Sequence, residues 1–141
     1  MKVRNLQART VYRTNYVTGV HNGRHFITNG ELLEFKTTSI EYKDQVRYEL
    51  MSPIKIDQLL KGEVTKAVQC STHEHEKIKT CLLTDFTNGD DIVSYNADYI
   101  YYLNRRHKPD EYKFYTQNGN ALLCFYKHND LCAMVMPINT K

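Results

Sequence analysis

Short runs of apolar and β-branched residues alternate with turn residues along most of the chain. That pattern predicts strands, because side chains two apart share one face of a pleated sheet. Thr10–Val20 is rich in β-branched and aromatic residues. His21-Asn22-Gly23-Arg24 then carries Asn-Gly, the strongest short hairpin signal, and His25-Phe26-Ile27-Thr28 continues as a strand to Asn29-Gly30. In Leu32–Tyr42 the residues Leu33, Phe35, Thr37 and Ser39 fall on one face, and Glu34, Lys36, Thr38 and Ile40 on the other. Gln45–Met51, Val64–Ser71, Lys77–Asp85, Glu111–Thr116, Ala121–Lys127 and Leu131–Ile138 read as further strands. Turns are expected at Thr72–Glu76, Asn88–Asp91, Asn118-Gly119 and His128-Asn129-Asp130, the last closing a hairpin at Asn129-Asp130.

Two segments keep a helical period. Ser52-Pro53 can open a helix near Ile54–Lys61, with Ile56, Leu59 and Leu60 on one stripe and Gly62 as its stop. Asn96 is a good cap for a second helix, Ala97–Arg106, with Ala97, Ile100, Tyr101 and Asn104 aligned and Leu103 flanking. No linker, low-complexity tract or exact repeat interrupts the chain. The expectation is an α+β, antiparallel-sheet-rich single domain over residues 1–141 with two short helices.

At 141 residues the chain is long enough to bury a core without metals or disulfides. Its formal net charge of +3 is well short of a dedicated nucleic-acid binder. The distribution says more. Six cations against Glu31 and Glu34 give residues 1–36 a formal +4, and Arg105-Arg106-His107-Lys108 forms a second basic cluster. No apolar run approaches the ~18 residues of a membrane span, and no signal-peptide core opens the chain. A soluble cytoplasmic protein follows, with Cys70, Cys81, Cys124 and Cys132 as reduced, buried thiols.

Signatures of common chemistries are missing. There is no Gly-rich phosphate loop, GxGxxG, GxSxG or HExxH. Cys70, His73, His75 and Cys81 carry zinc-type donors, but a strand–turn–strand reading leaves both histidines on an exposed turn. We therefore expect no metal, no cofactor and no enzymatic activity. Tyr99-Ile100-Tyr101-Tyr102 beside the basic cluster mixes aromatics and cations in a way that suits nucleic acid. The same cations also suit a helix C-terminus.

Asn96–Leu103, then strands, then Ala133-Met134-Val135-Met136-Pro137-Ile138, resembles the last half-domain of the bacterial β sliding clamp, the polymerase processivity factor. Gly19-Val20, Ile27-Thr28-Asn29-Gly30 and Leu33 resemble another piece of that family, a Gly-hydrophobic strand followed by Thr-Asp-Gly-x-x-Leu. The helix after Pro53 sits where the family has a short one. The resemblance implies a sliding-clamp-like fold, a homo-oligomeric ring on DNA and a cleft for short apolar peptides of polymerases. By position, that cleft would use Val17, Thr28, Gly30, Leu33, Met134, Met136, Pro137 and Ile138. Weak, non-specific DNA contacts would come from Arg9, Arg13, Arg105, Arg106 and Lys108. The chain departs from the family in three ways. It has room for one domain, Met1–Tyr12 is too short for the family's first helix, and Asn29 and Glu31-Leu32 replace Asp and His-Arg. A reduced, phage-encoded relative that binds a host replication or defence protein in the host cytoplasm is the alternative partner reading.

Overall fold

Nine antiparallel strands and three short helices appear in the computed structural model, which describes residues 2–13, 15–36, 56–78 and 80–138. The chain runs α1 (Ala8–Val11), β1 (Val17–His21), β2 (Arg24–Thr28), β3 (Leu32–Phe35), α2 (Ile56–Leu59) and β4 (Glu63–Glu74). It continues through β5 (Leu82–Thr87), β6 (Ile92–Asn96), α3 (Ala97–His107), β7 (Glu111–Gln117), β8 (Asn120–Lys127) and β9 (Asp130–Val135). The strand order is β1-β2-β3-β9-β8-β7-β4-β5-β6. The fold is α+β and antiparallel-sheet-rich, as the turn-punctuated pattern predicts.

β4 makes the sheet curl. Glu63–Ala67 pair with β7, whereas Val68–Glu74 pair with β5, and the register shifts between Gln69 and Thr72. A bulge of this kind bends the strand and increases its twist. Curling brings the β6 end of the order back toward its middle: past β9, the Ile138 N–H donates to the Ser94 carbonyl of β6 at 2.9 Å. At the entrance to β4, Gly62 has φ +98, and a Cβ there would collide with the Thr116 carbonyl.

The inner face carries an aromatic core. Phe86 packs edge-on against Tyr95 and Tyr112, and Tyr112 against Phe125, with ring centroids 4.9–5.8 Å apart. α3 closes this face with Ala97, Ile100, Leu103 and His107, and the N-terminal segment adds Leu6, Val11 and Tyr12. The outer face carries a smaller cluster of Phe26, Phe35, Leu33, Leu122, Cys124 and Met134, partly covered by Ile56 of α2.

The hairpin turns follow their chemistry. Asn22-Gly23 and Asn118-Gly119 have positive φ at both positions, as the tight turn between twisted strands requires. The β8–β9 turn instead centres on His128-Asn129, at φ +51 and +66, one residue earlier than Asn129-Asp130. Asn96 caps α3 as expected, accepting from the Asp98 and Tyr99 amides.

Several expectations are corrected. Thr10-Val11 belong to α1, a single helical turn, and the first strand starts only at Val17. β6 covers Ile92–Asn96, where the pattern predicts no strand. Tyr101 faces solvent and Tyr102 is buried, so the buried stripe of α3 is shifted. The expected strand Gln45–Met51, the second half of Leu32–Tyr42 and the start of the helix near Ile54 lie outside the described residues.

The segment 70–81 also differs. β4 runs on to Glu74, so His73 lies on a strand, 2.9 Å from the Asp85 carboxylate. His75 is buried and its Nδ1 accepts from the Lys77 and Ile78 amides. Cys70 is exposed and Cys81 half-buried, not two buried thiols. The Asp85 hydrogen bond raises the His73 pKa above its ordinary value. Among the described residues, no group of three His, Cys, Asp or Glu is placed to hold a metal ion. No helix among them is long and apolar enough to cross a membrane.

Candidate functional site

The best-formed apolar hollow among the described residues lies on the outer face, where β2, β3, β9 and β8 lie side by side. Strand register builds its floor. Thr28 of β2 lies opposite Leu33 of β3, Leu33 opposite Met134 of β9, and Met134 opposite Cys124 of β8. Leu122 and Met136 continue the floor, Leu59 of α2 forms a wall, and Gly30, Glu31 and Leu32 form the rim. The cleft measures about 230 Å³. Methionine side chains adapt to irregular apolar shapes, so a floor containing Met134 and Met136 suits a variable apolar ligand.

The rim is fixed by its own side chains. The Thr28 hydroxyl donates to the Leu32 carbonyl at 2.6 Å and accepts from the Gly30 amide at 3.0 Å. The Asn29 Oδ1 accepts from the Glu31 and Leu32 amides at 2.9 and 3.0 Å. Gly30, at φ +92, makes the left-handed turn that a side chain would strain. The Met136 amide donates to the Glu31 carbonyl, which ties the far end of β9 to this rim.

The structure therefore brings together Thr28, Gly30, Leu33, Met134 and Met136, which the resemblance groups by position. Val17, Pro137 and Ile138 do not line the cleft. Val17 lies one strand further out, opposite Thr28, and Ile138 has crossed toward β6. Among the described residues, Glu31, Leu32, Leu59 and Leu122 also line it, and the resemblance does not point to them. Leu122 could have been found by pairing the Ala121–Lys127 run against Leu131–Ile138 through their hairpin. Leu131–Ile138 does not form an edge strand: β9 lies between β3 and β8.

Behind the cleft, on the opposite face of β3, Glu34 is completely buried. Its Oε2 accepts from the hydroxyls of Tyr12 at 2.5 Å and Tyr102 at 2.6 Å. Its Oε1 lies 3.1 Å from Arg106 Nε and 2.8 Å from His107 Nε2. Burial alone would raise the carboxyl pKa, but the His107 hydrogen bond and the Arg106 charge hold it below the ordinary carboxylate range. A buried carboxylate survives only with such partners. His107 Nδ1, by contrast, is buried with no hydrogen-bond partner among the described residues.

The basic residues do not form one surface. Arg106 turns inward to Glu34, so its charge faces the core rather than an external phosphate. Arg105 Nη2 donates to the Leu6 carbonyl at 2.6 Å and its guanidinium lies 5.6 Å from the Tyr101 ring centre. Arg9, Arg13 and Lys108 are exposed.

One feature of the rim recurs. Thr28-Asn29-Gly30 and Thr87-Asn88-Gly89 are the same tripeptide, and both turns are hydrogen-bonded alike. Thr87 donates to the Asp91 carbonyl and accepts from Gly89, and Asn88 accepts from the Asp90 and Asp91 amides. The flanking strands share register too: Val17, Thr28 and Leu33 lie abreast, as do Val68, Thr87 and Ile92. The chain thus contains two similar three-stranded units, which their register and turn hydrogen bonds show although the sequence has no exact repeat of that length. At the second unit Ile92 is 71% exposed, whereas Leu33 is 4% exposed in the cleft. Comparison of the chain with protein-family models, curated proteins and solved structures gave no match.

Proposed function

We propose that the chain is a non-enzymatic, clamp-like scaffold of DNA replication that works in the cytoplasm as a homo-oligomer and captures short apolar peptide segments of its partners. One observation carries this reading: Thr28, Gly30 and Leu33 from one end of the chain meet Met134 and Met136 from the other in a single apolar cleft. The repeated strand–turn–strand unit agrees with a fold of paired units. The cleft's lining points to binding rather than catalysis, because among the described residues it is almost wholly aliphatic, with Glu31 as the single ionisable one.

Size-exclusion with light scattering tests the assembly, with a ring-sized homo-oligomer as the expected result. A monomer that captures one host protein would replace this reading with that of a small phage-type inhibitor.

Nucleic-acid contact is expected to be weak, sequence-independent and salt-sensitive, because it rests on a few exposed cations. Arg105→Glu with Lys108→Glu should remove most of the anisotropy change of a labelled duplex at low salt. Unchanged binding in that variant would exclude the end of α3 from the DNA-facing surface. Arg106→Glu is not a usable probe, since it would set a second carboxylate against Glu34.

A further inference from the structure

The two Thr-Asn-Gly turns differ in what holds their asparagine. Asn88 Nδ2 donates to Thr65 Oγ1 at 3.0 Å, and Thr65 belongs to β4, an integral strand of the sheet. Asn29 Nδ2 donates to the Val11 carbonyl and the Tyr99 hydroxyl, both at 3.2 Å. Val11 belongs to the N-terminal segment, residues 2–12, which pairs with no strand of the described sheet. That segment runs along α3 like a strap. Arg4 donates through its amide and Nε to the Asp98 carboxylate at 2.8 and 2.9 Å. Arg105 holds the Leu6 carbonyl, Leu6 and Val11 are buried, and the Tyr12 hydroxyl reaches Glu34.

The strap thus reaches the chain on both sides of the cleft residues Gly30–Leu33, at Asn29 just before Gly30 and at Glu34 just after Leu33. We infer that this N-terminal strap regulates the cleft: docked on α3 it holds the Asn29 rim and β3 in the binding-competent arrangement, and released it lets the rim loosen. The inference rests on the peptide-site reading above. Asn29 and Glu34 act in it as positioning residues, since neither lines the cleft. Linkage makes the effect reciprocal, so an occupied cleft holds the strap more firmly.

The second turn serves as an internal control, because its tether does not involve the strap. In the full chain, Arg4→Ala with Arg105→Ala removes two side-chain ties of the strap at a distance from the cleft. Amide hydrogen exchange reads the result without any ligand. Glu31 and Leu32 should exchange on the order of tenfold faster, together with Val11 and Tyr12, while Asp90 and Asp91 stay unchanged. Capture of a labelled hexapeptide bearing Leu and Phe should weaken by a similar factor. Should the double variant leave Val11 and Tyr12 protected, Thr10→Pro breaks α1 at an exposed position, and the same amides are read. Freed strap amides with Glu31 and Leu32 unaltered would overturn the inference. So would equal acceleration at Asp90 and Asp91, which would report general destabilisation. Selective exchange coupling in a protein that captures no hexapeptide would retain the strap and discard the peptide reading.

Discussion

Replacing Glu34 with alanine should lower the unfolding free energy by about 3–5 kcal/mol, the usual cost of removing one partner from a buried ion pair. The variant leaves the Arg106 guanidinium and His107 Nε2 without their carboxylate, and it takes the acceptor from the Tyr12 and Tyr102 hydroxyls. Urea unfolding reads the loss as a lower midpoint at unchanged slope. Glu34→Gln keeps an oxygen acceptor and should cost less. A change below about 1 kcal/mol in the alanine variant, the range of an exposed pair, would show that the cluster contributes little.

The same residue sets an acid limb. Its carboxyl titrates lower in the folded chain than unfolded, so the folded state favours the ionised form. That contribution is fully present above the unfolded pKa and is lost as pH falls through the folded one. As pH falls below the ordinary carboxylate range, wild-type stability should therefore drop more steeply than that of the alanine variant.

Met134→Ala and Met136→Ala should part company. Met134 is 2% exposed and packed between β3 and β8, so its truncation should cost about 2–5 kcal/mol. Met136 lies just beyond β9, is half-buried and lines the cleft. Its truncation should leave the melting temperature within a few degrees of wild type while weakening peptide capture. Equal destabilisation by both would make Met136 a core residue and shrink the cleft to its rim. The end of the chain thus plays two parts in succession: an internal strand to Val135, then a cleft residue at Met136 whose amide is tied to the rim.

Much of this was legible in the chain itself. Asn-Gly pairs marked tight turns because few residues accept positive φ, and Asn96 marked the start of α3 because its side chain satisfies free amides there. What could not be read is whatever depends on neighbours distant in sequence. Glu34 sits in a run whose alternation assigns it to the other face from Leu33, and that is correct. Nothing local says that this face is covered by α3 and by Tyr12. Arg106 was misplaced for the same reason: four consecutive basic residues look like one solvated patch until the helix turns them in different directions. The extent of β4 was missed because it is exposed nearly throughout and so lacks apolar alternation. The cleft residues were found in part because order along the chain fixed the two contributing ends. Leu59 and Leu122 come from elements between those ends and depend on the folded sheet.

The most direct test of the proposed peptide cleft is a methyl NMR titration of protein labelled at its methionine methyl groups with a hexapeptide bearing Leu and Phe. Met134 and Met136 should shift together and saturably along one binding curve, and Leu33→Glu should abolish the response. Methyl signals of Met134 and Met136 that stay fixed while the peptide reaches millimolar concentration would contradict the account.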